Sequence, residues 1–310
     1  MSAIVIDPLI IGHNPFFGID HLSAQRGNER SRFFEDVRRV VAVLRRCHDL
    51  GARAMMMSTH PRALAMTQAI NADPLLSKEW RLYPVLPYVQ KYVRGANEKG
   101  LVNLALDTLS QVSFGQKVGL FLRGSRGILV RDLQEMIRLL IDIEMAPFAN
   151  GRLGAVFLHD VLTDLALGLR VDSVLALFRE HVEAHYGVTA GFITKNVPLL
   201  RARLDAMDWD EVLVMASLNP AGFYVNPSLE RCAAALERPG LTFVAMNTLA
   251  SGQLSPEVAY SYLARFSAIR SVAVGLSRLD HAAETIDAIR RHLPCAAGIP
   301  TVARLQEGGS

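Results

Sequence analysis

The chain is poor in cysteine. Cys47, Cys232 and Cys295 are the only three in 310 residues, far apart and without CxxC or metal-ligand spacing. That excludes a disulfide-stapled scaffold and reads as reduced thiols of a cytoplasmic protein. Long apolar runs are also missing. No stretch reaches the ~18 apolar residues of a spanning helix, and residues 1–7 show no basic region followed by a long apolar one, so the expectation is an unexported, cytoplasmic protein with no membrane partner. Neither sign of charge dominates. The net charge is +3, with Lys/Arg and Asp/Glu interleaved along helical stretches, which argues against nucleic acid as a partner. A Gly-rich dinucleotide turn after the first strand is absent, as are close-spaced HxH pairs and low-complexity segments.

What is present is enough apolar residue, half of the chain, to bury a large core. The most telling run is Ala155-Val156-Phe157-Leu158-His159-Asp160, a strand-length apolar stretch that stops in a histidine and a carboxylate. Similar units recur. Strand-like runs at 9–12, 52–57, 82–88, 154–158, 188–193, 211–216, 241–246 and 271–274 are each followed by helical patterning. The helical stretches fall at 31–49, from 62, at 171–185, 197–206, 226–236, 256–266 and 280–292. Between the third and fourth strands the pattern turns helical for about sixty residues, with helices at 97–113 and 129–145 and a short apolar segment at 118–122.

Eight strand-then-helix units with strands apolar on both faces predict a single-domain α/β fold, a (β/α)8 TIM barrel. Its expected extent is residues 1–294, with a helical insertion around 89–150 and a flexible tail at 295–310. An open doubly wound sheet is the competing arrangement, weakened by the missing Gly-rich turn.

In a barrel, the carboxyl ends of the strands share one mouth, where such folds gather their chemistry. Collected there are His13 and Asn14, His60, Tyr88, His159 and Asp160, Lys195, Asn219, Asn247, and the Gly275-Leu276-Ser277-Arg278 turn. His159 is the leading acid/base candidate because imidazole titrates near neutral pH, with Asp160 as a second polar group. The two cannot both face inward unless the strand has ended, since neighbours on a strand point to opposite faces. Lys195 suits an ammonium fixed at a strand end to polarise a carbonyl or hold an anion. His60 joins the catalytic set, with His13, Asn14, Tyr88, Asn219 and Asn247 orienting substrate. Gly275, Ser277 and Arg278 open the last helix with N–H groups, a hydroxyl and a guanidinium for an anion or a cofactor phosphate. A divalent metal on His13, His60 and His159 is the weaker reading, for want of a close-spaced pair. No metal ligand is assigned.

Leu158-His159-Asp160, Asn219, the run Leu249-Ala250-Ser251-Gly252-Gln253-Leu254-Ser255-Pro256-Glu257, and Val274-Gly275-Leu276-Ser277, in that order, resemble the aldo-keto reductase superfamily. The resemblance covers roughly residues 154–290. It implies an eight-stranded barrel, NADPH, and a tyrosine proton donor supported by an aspartate, a lysine and a histidine. His159 matches the histidine, and the 275–278 turn looks like the holder of the cofactor's adenosine phosphate. The rest departs. After strand two the reductases carry an aspartate and then Tyr-Gly, whereas Met57-Ser58-Thr59-His60-Pro61 has neither acid nor tyrosine. The lysine of strand three has no counterpart at 84–88, and Lys91 lies too far along.

The sequence therefore points to a barrel enzyme with non-redox acid/base chemistry, of lyase or isomerase type, on a small anionic or phosphorylated carbonyl or sugar-like compound. The alternatives are an NADPH-dependent carbonyl reductase with a substituted proton donor and a non-catalytic ligand-binding accessory protein. The partner is a small molecule, and a homo-oligomer is compatible with the sequence.

Overall fold

The computed structural model describes residues 4–20, 22–87, 133–276 and 279–299. Eight parallel strands follow one another around a closed barrel: β1 (Leu9–Ile11), β2 (Ala54–Ser58), β3 (Arg81–Leu86), β4 (Ala155–Leu158), β5 (Thr189–Ile193), β6 (Val212–Ser217), β7 (Leu241–Met246) and β8 (Ile269–Val274). The last strand returns to the first, with Ile11 opposite Val274, so the open-sheet arrangement is excluded. Helices wrap the outside: α1 (Ala24–Phe33), α2 (Val37–Asp49), α3 (Ala63–Ala72), α4 (Leu76–Glu79), α5 (Leu133–Met145), α6 (Asp160–Leu169), α7 (Asp172–His181), α8 (Val197–Ala206), α9 (Leu229–Glu237), α10 (Pro256–Leu263) and α11 (Leu279–His292). Among the described residues, no helix is long and apolar enough to cross a membrane.

Alternation along the strands sorts the core into two layers. Ile10, Ala54, Met56, Tyr83, Val85, Ala155, Phe157, Ile193, Leu213, Met215, Val244 and Ala273 form one cluster, the filled interior of the barrel. The intervening residues, such as Ile11, Met55, Val156, Phe192 and Val214, join the helices in the larger outer cluster. Gly191 stands where the inner layer needs room, since a Cβ there would lie 2.4 Å from the Phe157 ring. The amino end is plugged. Ile4 and Ile6 pack under the interior cluster, and the buried Asp7 carboxylate accepts from Tyr83 Oη at 2.6 Å and from Arg81 Nε at 2.6 Å. Chemistry is left to the other end, where continuing the inward alternation gives Ser58, Pro87, His159, Lys195 and Ser217.

Several elements differ from the sequence-based expectation. The 31–49 stretch is two helices, because Asp36 caps a new start by accepting from the Arg38 N–H. Between β4 and residue 171 the chain is not a loop but α6, which ends with Arg170 in the left-handed region at φ 56°. The expected 171–185 helix is α7 followed by a single π turn over Val182–Tyr186. The helix expected from Asn226 starts at Leu229, behind a cis Asn226–Pro227 bond and the Ser228 cap. The expected helix at 97–113, the segment at 118–122, Tyr88 and Lys91 lie outside the described residues, as do Ser277 and Arg278. The first residues of the expected tail are packed, with Ala296 and Ile299 buried.

Candidate active site

The mouth is built first on backbone. β4 ends at Leu158, and the next N–H, that of His159, donates to the Leu86 carbonyl of β3 at 2.7 Å. His159 is at once the first residue past the strand and the N-cap of α6, with Asp160 in the first helical turn. The alternation rule that would send these two side chains to opposite faces therefore no longer applies. Their side chains meet, with His159 Nδ1 2.6 Å from Asp160 Oδ1.

That contact decides the tautomer. The Val161 N–H lies 3.2 Å from His159 Nδ1 and 2.9 Å from Asp160 Oδ1. One nitrogen cannot both accept from Val161 and donate to a carboxylate. The shorter, charge-assisted contact prevails, so Nδ1 carries a proton toward Asp160 and Val161 donates to the same carboxylate. In the neutral ring this leaves Nε2 with its lone pair and no protein partner among the described residues. A histidine oriented in this way by a carboxylate has the arrangement that general-base chemistry requires.

Asp160 is further held by Lys195, whose Nζ lies 3.4 Å from Oδ2. Burial alone would raise the Asp160 pKa, but the hydrogen bond and charge of His159, then the charge of Lys195, outweigh it and lower it. One turn along α6, Asp164 accepts from Thr194 Oγ1 at 2.5 Å and from the Lys195 N–H at 3.0 Å. Its pKa moves the other way, raised first by burial and also by the Asp160 charge. Two carboxylates on one helix face are thus driven apart, and the second fixes the strand end that carries Lys195. Sequence reasoning did not find Asp164. Its position four residues after Asp160 would have marked it, had α6 been recognised.

On the β1–β2 side, His13 is buried and Phe17 packs between two imidazoles. Its ring centroid is 5.2 Å from His13 and 4.2 Å from His60, stacked nearly parallel on the latter. His60 Nδ1 accepts from the Arg62 N–H at 3.2 Å, placing its proton on Nε2. His13 bonds to the Met56 backbone, and burial first, then the charges of His159 and His60, lowers its pKa to about 3. His159 and His60 are thus both near enough to His13 to act on it by charge. Even so, no group of three metal-ligating side chains suited to an ion occurs among the described residues. The Asn14 carbonyl accepts from the Ile19 N–H at 2.8 Å, closing the 13–18 loop.

The asparagines and threonines of the far side are engaged in holding loops. Asn219 is fully buried, donates to the Phe223 and Asn247 carbonyls and accepts from the Phe223 N–H. It pins the β6 and β7 loops together rather than presenting its amide to the mouth. Asn247, at φ 53°, donates to Ser217 Oγ at 2.8 Å, and Thr248 pairs with Tyr260. Gly275 is exposed beside the β1 end, where the Gly12 N–H bonds the Val274 carbonyl at 2.8 Å. A separate cleft of about 300 Å³ lies at the amino end of the barrel, lined by Ile4, Arg179, Glu183, Thr189, Glu211 and Val212, and shares no residue with this mouth.

Three-dimensional comparison places this barrel among solved structures. A Pseudomonas aeruginosa protein assigned to the aldo-keto reductases superposes with a TM-score of 0.57 at 14% identity, over 92% of this chain and 90% of that one. A protein assigned as a 2,5-diketo-D-gluconic acid reductase B gives 0.58 at 12% identity, over 99% and 91%. The fold is that of the aldo-keto reductases. No family model matches the sequence, and no curated protein is similar enough to match.

Against that fold, the described strand ends carry one of the expected reductase residues, His159. The ends of β2 and β3 read Ser58-Thr59-His60 and Leu86-Pro87 with a cis bond, supplying neither aspartate, tyrosine nor lysine. Among the described residues, the aspartate, tyrosine and lysine that the resemblance implies are absent from the ends of β2 and β3.

Proposed function

We propose that this barrel is an acid/base enzyme of the aldo-keto reductase fold, acting without redox change on a small, anionic or phosphorylated carbonyl or sugar-like compound. The observation that carries it is the 2.6 Å contact between His159 and Asp160 at the inner end of β4. In this reading, His159 Nε2 takes the proton from the carbon beside the substrate carbonyl. Asp160 stabilises the imidazolium that forms, and the Lys195 ammonium faces the oxygen where negative charge develops. Returning that proton to the neighbouring carbon gives an isomerase; expelling a leaving group from it gives a lyase. His60, His13, Asn14 and Tyr88 orient the substrate, while Asn247 holds the β6 and β7 strand ends together through Ser217; Gly275, Ser277 and Arg278 receive the anionic end.

The reading predicts that the protein, with no nucleotide added, exchanges the α-hydrogen of hydroxycarbonyl compounds with deuterium from solvent. His159→Ala should abolish the exchange, and unchanged exchange in that variant would sink the mechanism. A second reading is an NADPH-dependent carbonyl reductase with a substituted proton donor, favoured by the reductase assignments of the proteins that share the fold. Fluorescence titration separates the two, because the reductase reading requires tight, saturable NADPH binding coupled to carbonyl turnover. Saturable NADPH binding without turnover of any carbonyl would instead favour a ligand-binding accessory protein.

A further inference from the structure

Helix α6 is patterned in reverse. A helix on the outside of a barrel normally turns its apolar residues inward and its charges outward. Here the polar residues face the fold: Asp160 meets His159 and Lys195, Asp164 accepts from Thr194, and Thr163 donates to the Leu158 carbonyl. The exposed positions are Val161, Leu165, Gly168 and Leu169, with no charged side chain among them. Val161, Leu165 and Leu169 stand at i, i+4 and i+8, one stripe of the helix, and are 42%, 53% and 65% exposed. Val171, just past the helix, and Leu199, in the first turn of α8 beside it, are 38% and 44% exposed. Gly168 is a separate observation. Glycine weakens a helix relative to alanine, yet a Cβ built there meets no atom of the chain within 4 Å. Nothing within the protein requires it, whereas a body packing closely from outside would.

We infer that this face of α6 is a two-fold interface, pairing with α6 of a second copy of the chain, the two helices antiparallel about Leu165. Register, charge and area each favour a copy as the occupant. In that register Leu165 meets its own counterpart, Val161 meets Leu169, and the partly buried Leu162 enters the notch at Gly168, so the face is its own complement. Antiparallel pairing also brings exposed Arg170, which makes no ion pair among the described residues, to the first turn of the other α6. There two carboxylates, Asp160 and Asp164, outnumber the Lys195 ammonium. Taking ~150–200 Å² for a fully exposed Val or Leu, the five apolar residues expose about 400 Å², near the apolar share of the ~800 Å² each copy buries in a standard interface. The inference does not rest on the proton-transfer role of His159.

The test is sedimentation velocity of the full chain across the micromolar range. The wild type should sediment as a dimer, at twice the chain mass. Leu165→Arg sets two like charges against each other at the two-fold axis and should raise the dissociation constant at least about 100-fold, leaving a monomer. Gly168→Ala fills the notch and should raise it about ten-fold. Diluted to monomer, that variant should melt no lower than the wild type, because the added methyl meets nothing in its own chain. Val258→Arg, at a similarly exposed site on α10, should leave the dimer intact. A wild type that stays monomeric overturns the inference, as does a dimer that survives Leu165→Arg or that Val258→Arg also dissolves. If Leu165→Arg does not fold, Gly168→Ala decides alone, and unchanged association in that variant overturns the inference.

Discussion

Replacing Asp160 by Asn isolates what the carboxylate contributes to His159. The two groups are 2.6 Å apart, and the Asp160 side chain is only 12% exposed, so water screens the contact little. A hydrogen bond to a charged group contributes about 1.5–3 kcal/mol, and each 1.4 kcal/mol is about a factor of ten in rate. The variant should therefore slow His159-dependent hydrogen exchange by about 10- to 150-fold. Asn has the same shape and still offers an oxygen to the Val161 N–H, so α6 should form, less about 0.3–1 kcal/mol for the acid missing from its first turn. Nitrogen-15 NMR of the imidazole gives an independent reading. The wild-type ring should carry its proton on Nδ1, and the variant should show a mixture of tautomers. A wild-type ring protonated on Nε2, or a variant exchanging within two-fold of the wild-type rate, would refute the reasoning.

Three further outcomes follow from packing and charge. Gly191→Ala places a methyl 2.4 Å from the Phe157 ring in the filled barrel interior and should cost about 1–3 kcal/mol in urea unfolding. Asp7→Ala leaves Tyr83 Oη and Arg81 without their acceptor at the barrel floor. Because Arg81 is partly exposed, the loss should be about 2–3 kcal/mol, read as a lower denaturation midpoint. Asp142 accepts from His181 Nε2 and Tyr186 Oη, each at 2.7 Å. Burial would raise its pKa, but those hydrogen bonds outweigh it and the folded-state value is lowered. Its contribution is then complete above the unfolded carboxylate pKa, near 3.9, and is lost as pH falls through the lower folded value. Asp142→Asn should accordingly be less stable at neutral pH, with the gap to wild type closing in acid unfolding curves.

The barrel was legible because its strands are apolar on both faces and each is followed by a helix-period stretch. β5 to β8 lie within two residues of their expected ends, and α8 is where periodicity puts it. What was hidden depended on caps and turns rather than on period. The stretch Val161-Leu162-Thr163-Asp164-Leu165-Ala166-Leu167 reads equally as an apolar connection, and only the turn of the chain at His159 makes it α6. Missing that helix concealed both the His159–Asp160 contact and Asp164, because helical geometry brings those groups together. Asn219 shows the reverse limit. A polar residue at a strand end looks like a ligand for substrate, but its amide is occupied by three backbone groups of its own and a neighbouring loop. Composition and spacing locate the mouth; which of its polar atoms remain available is a property of the folded loops.

The most direct test follows one carbonyl substrate with NADPH present in deuterated water, recording nucleotide absorbance and deuterium at the α-carbon together. The account predicts deuterium uptake that depends on His159, with NADPH unconsumed. NADPH oxidised in step with carbonyl loss, without deuterium at the α-carbon, would contradict it.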